Sequence, residues 1–329
     1  MPAHEADAVF QGGGVKGLGL VGAVLEFADR SAHPDFYVED WVQLAGTSAG
    51  AIIAAYLACG KSAKDTRKLV AGAPYATFED WGPGGEVIGG GLNLLRLHGL
   101  ARGRAFHDWF DKAIDGRTFA DVEGGGRTLK LIAADITRRE MLVLPDALGH
   151  YRQVADGPAI DPAAFPIADA VRMSMSIPYF FQPVRLFHDA TGLPSTIVDG
   201  GVVSNFPVWI FDVETRDPVR PTFGFRLVGG GGVGQALEPL IHTLGWPAEM
   251  GADIFHTALD AWDKHWLSRA TLVRTVAVPA GDIGTTDFEL TPAQRDWLLR
   301  SGRDAAAAFL RDWRPENYVN RAGRGLAGV

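Results

Sequence analysis

Within its first 60 residues the chain twice runs from an apolar stretch through a glycine-rich turn into a segment of helical periodicity. Asp7 to Gln11 reads as a short buried strand entering GGGVKGLGL. Leu18, Val21, Val24, Leu25 and Ala28 then recur at spacings of three and four in a helix from Val15 to Arg30. Val42 to Ala45 reads as a second strand, entering GTSAG and a helix from Ser48 to Cys59 that Gly60 stops. Two successive strand–turn–helix units specify the α/β class and a parallel sheet.

The pattern continues with more strands. Residues 82 to 103 are loose and glycine-rich, and Arg104 to Ile114 is helical. TLKLIAADI and REMLVL are strands around a tight turn at Thr137-Arg138. PIADAVRMSMSIP is a helix ended by Pro178, STIVDGG a buried strand ending in glycines, and PTFGFRLV a further strand. The last hundred residues read as helix, strand and helix. The final helix begins at Thr291-Pro292, threonine as N-cap and proline at the first helical position, with Leu298, Ala305, Phe309 and Trp313 on its apolar face. Only Gly229 to Gly234 interrupts the chain as a boundary could, and it reads as a loop. A single domain over 1–329 is expected, with a motif-bearing core at about 8–228 and a C-terminal extension at about 235–313 packed on it.

Hydrophobic residues make up 47% and charged residues 21%, a globular balance that argues against disorder. A net charge of −8 leaves no overall basic footprint, so no nucleic-acid partner is expected. Cys59 stands alone, cannot form an internal disulfide, and reads as a small buried side chain. MPAHEADAVF lacks the features of a signal peptide, and no stretch approaches about 18 uninterrupted apolar residues. A soluble, cytoplasmic protein is expected.

GTSAG places Ser48 between glycines where a strand meets a helix, the setting of a nucleophile elbow. The plainer alternative makes Ser48 the N-cap of that helix. GGGVKG likewise has two readings. Gly12 to Gly17 fits G-x-G-x-x-G after a strand, with Glu39 placed as a ribose acid, which describes a Rossmann-type dinucleotide site. It also describes an oxyanion hole, because a glycine run at a helix N-terminus leaves N–H donors unshielded. The oxyanion reading uses both motifs, whereas the dinucleotide reading leaves GTSAG an accident.

A serine nucleophile needs a base. Of nine histidines, His188 in RLFHDATG has the best loop context, yet nothing singles it out. Asp199 ends the apolar strand STIVDGG. Turn capping is the ordinary role for such an aspartate. Burial there would also raise its pKa and make it a better proton acceptor.

GGGVKG, GTSAG and VDGG, in that order, resemble the patatin-like phospholipases, and AVRMSMSIPYFFQPV resembles a further block of that family, with Ser176-Ile177-Pro178 near the active site. The tail TTDFELTPAQRDWLLRSG also looks like that of bacterial members. The resemblance implies a three-layer α/β/α fold around a central, mostly parallel sheet. It implies Ser48 as nucleophile and Asp199 as base in a Ser–Asp dyad without histidine. Gly12, Gly13 and Gly14 would supply the oxyanion hole with Lys16 and Ala49, and Gly17, Gly46, Gly50, Gly200 and Gly201 are the remaining motif glycines. It implies acyl-ester hydrolysis of phospholipids, lysophospholipids or related lipids through an acyl-enzyme, with no metal and no organic cofactor. The alternatives to the hydrolase are the Rossmann-type dinucleotide-binding enzyme and a non-catalytic lipid-binding member of the same fold. Gly89 to Leu100, with Leu92, Leu94, Leu95 and Leu97 between glycines, is expected to be either an apolar flap that meets lipid at a membrane surface or a short core helix.

Overall fold

The computed structural model describes residues 4–78, 80, 99–213, 218–229, 257, 269–285, 287 and 289–314. The first repeat is β1 (Glu5–Phe10), a 3-10 turn at Gly14–Lys16, and α1 (Gly17–Phe27). The second is β2 (Asp40–Thr47) and α2 (Ala49–Ala58). Then come α3 (Ala63–Ala71), α4 (Tyr75–Phe78), β3 (Gly99–Ala101), α5 (Arg104–Ala113) and α6 (Phe119–Gly124). The middle of the chain forms β4 (Thr128–Asp135), β5 (Glu140–Leu144), β6 (Tyr151–Arg152), α7 (Ile167–Ser174), β7 (Tyr179–Phe181), β8 (Val184–His188) and β9 (Pro194–Asp199). β10 (Thr222–Val228), α8 (Arg269–Leu272), β11 (Thr275–Pro279) and α9 (Pro292–Asp312) complete it.

Among the described residues, nine strands form one mixed sheet in the order β11-β10-β1-β2-β4-β9-β8-β6, with β5 also on β4. From β11 to β4 every pairing is parallel, and from β4 outward through β9, β8 and β6 every pairing is antiparallel. β3 and β7 make a separate parallel pair. Alternation along the central strands sends apolar residues to both faces, as buried parallel strands require. Ala6, Ala8 and Phe10 of β1 join the main core with α1, whereas Val9 and Ala45 face a second core closed by Phe206 and Val208.

β11 extends the parallel edge beyond β10, and α9 lies along α1. Thr291 caps α9 as expected. Its Oγ1 accepts the Gln294 N–H at 3.2 Å, and Gln294 Oε1 accepts the Thr291 N–H at 2.9 Å, a reciprocal capping box. The apolar face read from Leu298, Ala305, Phe309 and Trp313 does pack on the core, with Leu298 and Trp313 buried in it and Ala305 and Phe309 half-buried against it. Gly302, Ala306 and Leu310 are buried as well, and glycines bring the two helices together: a Cβ on Gly302 would lie 1.9 Å from the Gly19 carbonyl oxygen.

Other boundaries move for identifiable reasons. The helix expected from Val15 starts as a 3-10 turn and ends at Phe27, whose carbonyl is taken by the Val38 N–H at 2.7 Å. The helix expected to run to Pro178 stops at Ser174. Two residues on, the Ser176 carbonyl accepts from the Asp199 N–H at 2.9 Å and is lost to further helix. Of Gly89 to Leu100, only Gly99 and Leu100 are described, both buried in β3. The helix expected after Gly234 also lies outside the described residues. Among those described, no helix is long and apolar enough to cross a membrane.

Candidate active site

β4 seats two distant parts of the chain on one edge. β2 runs beside it as far as Thr47, opposite Ile132, and β9 takes over at the next residue, with Asp199 opposite Ala133. β5 occupies the other edge from Leu131 to Asp135, so β2 and β9 must succeed one another on the same side. Ser48, the residue after Thr47, therefore emerges beside Asp199.

Ser48 has φ 54° and ψ −125°, outside both helix and strand regions and costly for a residue with a side chain. It precedes α2 without capping it, since its side chain makes no hydrogen bond to the first turn. The N-cap alternative is not realised. The turn needs bare backbone around it. A Cβ on Gly50 would lie 2.3 Å from the Phe10 carbonyl oxygen, and one on Gly46 would lie 2.3 Å from that of Gly50. The Ser48 N–H donates to Ser174 Oγ at 3.0 Å.

The glycine loop after β1 runs against this elbow. A Cβ on Gly12 would come within 3.0 Å of Ser48 Cβ and 2.3 Å of Asn205 Oδ1. Of the three glycines expected to offer donors, Gly12 differs: its N–H is engaged by the Asn205 carbonyl at 3.1 Å. Among the described residues the N–H groups of Gly13 and Gly14 have no acceptor, and neither has that of Ala49 at the first turn of α2. Lys16 is buried, and Gly17 opens α1 against the Ala49 methyl. The loop is held from outside the motif as well. Gln11 Oε1 accepts the Leu227 N–H at 2.6 Å, and the Val15 N–H donates to the Thr285 carbonyl at 3.2 Å.

Asp199 is 1% exposed. Its Oδ1 accepts the Gly201 N–H at 2.7 Å, so the turn-capping role is real. Gly200 is squeezed against β4, where a Cβ would lie 2.2 Å from the Ile132 carbonyl oxygen. Among the described residues, Asp199 Oδ2 has no hydrogen-bond partner. Burial pushes the carboxyl up to about 7, and the Ser48 hydroxyl and Gly201 N–H pull it partly back. The Ser48 hydroxyl is thus near enough to act on the carboxylate without a well-aligned hydrogen bond to it. The second block of the sequence supplies the support. Buried Arg172 donates to Ser176 Oγ at 2.5 Å and to the carbonyls of Arg102 and Gln182 at 2.8 and 2.7 Å.

Ser48 opens on an apolar slot lined by Ile52, Ile53, Phe106, Trp109, Met175 and Phe181, among others. Its empty space is about 620 Å3 with the open mouth included. None of the described residues lining it is a histidine. His188 stands elsewhere, in β8, edge-on to Tyr151 at 5.6 Å between ring centres, in a separate cleft with Arg138, Glu140 and His150.

Ser174 and Asn205 carried no signal as site residues in the sequence. Each is a polar residue whose importance comes from what a distant segment brings against it.

Comparison with known proteins agrees with this architecture. The chain is 33% identical over 321 residues to the uncharacterized protein YqhO of Bacillus subtilis (strain 168), covering 93% of this chain and 98% of that one. It is 22% identical over 292 residues to the uncharacterized protein R571 of Acanthamoeba polyphaga mimivirus, covering 88% and 89%. In structure it is similar to VipD from Legionella pneumophila, with TM-score 0.55 at 18% identity, over 98% of this chain and 70% of that one, a likeness of fold. A family profile described as Patatin-like phospholipase matches residues 8–212. That span holds the glycine loop, the elbow and the aspartate turn, and by it the chain belongs to the patatin-like phospholipase family.

Proposed function

We propose that this protein is a serine acyl hydrolase that cleaves fatty-acyl esters of phospholipids, lysophospholipids or related lipids, with Ser48 as nucleophile and Asp199 as its base. The observation that carries the reading is the meeting of a strained serine, a buried carboxylate with one unpartnered oxygen, and unengaged N–H groups beside an apolar slot. Ser48 Oγ attacks the ester carbonyl while Asp199 takes its proton. The N–H groups of Gly13 and Gly14, with that of Ala49, receive the oxyanion, each such donor contributing about 3 kcal/mol to lowering the barrier. Protonated Asp199 then gives its proton to the departing alcohol oxygen, leaving an acyl-serine. Water attacks in turn, Asp199 again takes a proton, and the fatty acid leaves with Ser48 restored.

The test is labelling with a fluorophosphonate and mapping of the modified peptide. Modification is expected at Ser48 and absent in Ser48→Ala. Tight binding of a nicotinamide dinucleotide without labelling would favour the Rossmann-type reading. Lipid binding with neither labelling nor turnover would favour the non-catalytic one.

The raised carboxyl gives a second expectation. A base must be ionised to act, so kcat/KM is expected to rise with pH through a single ionisation near 7 and level off above it. A rate independent of pH between about 5 and 9 would exclude Asp199 as the base.

A further inference from the structure

We propose that Ser174 is a positioning residue for catalysis, holding the nucleophile's backbone in its strained form through a hydrogen bond to the Ser48 N–H. This rests on Ser48 being the nucleophile. Ser174 is wholly buried at the last residue of α7. Its Oγ accepts from the Ser48 N–H at 3.0 Å and donates to the Ile132 carbonyl at 2.6 Å. Ile132 is the β4 residue at which β2 ends and after which β9 begins. The hydroxyl therefore ties the elbow to the junction that brings serine and aspartate together.

The same short stretch holds the other half of the pair. The Ser176 carbonyl accepts from the Asp199 N–H at 2.9 Å. Ser176 Oγ in turn donates to the Arg172 carbonyl at 2.8 Å and accepts from the Arg172 guanidinium. Arg172 anchors this stretch to Arg102 and Gln182, so it is fixed independently of either catalytic residue. One short piece of chain thus grips the backbone N–H of both Ser48 and Asp199, and sets the distance between them.

Positive φ at Ser48 turns its N–H away from the partners that regular strand or helix would provide. Without the Ser174 hydroxyl, two buried groups lose their partner and the turn can relax toward ordinary dihedrals. Relaxation would swing Ser48 Oγ, and a displacement of about 1 Å in a reacting atom costs on the order of 100-fold in rate. Ser174 does not line the apolar slot, so substrate binding before attack is left as it was.

Ser174→Ala is therefore expected to lower kcat for a p-nitrophenyl ester, and the rate constant for fluorophosphonate inactivation, by on the order of 100-fold, with KM changed by less than about twofold. Ser174→Thr, which keeps the hydroxyl, is expected to recover most of the loss. A residue important only for stability would lower the melting temperature and the yield of folded protein, leaving the rate per folded molecule and KM unchanged. If Ser174→Ala does not fold, Ser174→Cys is measured instead, because a thiol is a weak acceptor of similar shape, and a loss of about tenfold or more in the inactivation rate is expected. Wild-type rates in whichever of these two variants is measured, with wild-type label still on Ser48, would overturn the role of Ser174 alone. Label on a residue other than Ser48 in the wild type would overturn both this role and the hydrolase reading.

Discussion

Asp199→Asn is expected to lower kcat by about 10^4-fold, the scale of loss when a catalytic aspartate is neutralised without change of shape. Asparagine can still accept the Gly201 N–H that Oδ1 accepts now, so the turn after β9 survives. What it cannot do is take a proton from Ser48. Stability should move the other way. The folded carboxyl titrates near 7 and the unfolded one near 3.8, so between those values the native state holds a proton that the unfolded chain has released. Stability attributable to this group therefore falls as pH rises from about 4 to about 7, by on the order of 4 kcal/mol, and stays low above that window. Asparagine carries no such penalty. The variant is expected to melt above the wild type at pH 8 and close to it near pH 4, while hydrolysing p-nitrophenyl esters at a small fraction of the rate. Retention of wild-type kcat within about tenfold would remove Asp199 from the mechanism.

Gly302→Ala is expected to destabilise the fold by about 2 kcal/mol or more, although elementary helix energetics point the other way. Alanine favours a helix interior over glycine by about 1 kcal/mol. Here the added methyl would sit 1.9 Å from the Gly19 carbonyl oxygen and 2.9 Å from the Ala23 nitrogen. Both are backbone atoms of α1, and no side chain can rotate away to make room. Overpacking costs about 1–3 kcal/mol and sometimes more, so it exceeds the propensity gain. A melting temperature lower by several degrees, in calorimetry or circular dichroism, is the expected result. A higher one would mean that α1 and α9 separate at little cost.

The residues proposed to carry chemistry were legible because few side chains can do such work, and they stand at turns that demand glycine. Ser48 and Asp199 could be paired on paper through resemblance, but the physical reason for their meeting was hidden. It lies in β4, where Ile132 and Ala133 are ordinary apolar residues whose register alone joins β2 to β9. Ser174 was hidden for a similar reason, since a serine inside an apolar helix end says nothing of a partner far away in sequence. Gly302 gave no signal because apolar periodicity looks for side chains, and α9 approaches the backbone of α1 where it carries none. The parallel half of the sheet followed from repeated strand–turn–helix units. The antiparallel half follows pairings between segments with no local signature, such as Tyr151 with His188.

The position of β1 has a consequence for when the protein becomes active during its synthesis. β1 and the glycine loop leave the ribosome before the segments that fasten them: β1 is flanked on one side by β10, and its loop is held by Asn205, Leu227 and Thr285. Translation at about 5–20 residues per second separates those events by tens of seconds or less. Throughout that interval Ser48 and its turn have been made, but the glycine loop that runs against them has no fixed place. Under the hydrolase reading, ester cleavage therefore waits until the segment through Thr285 has been made.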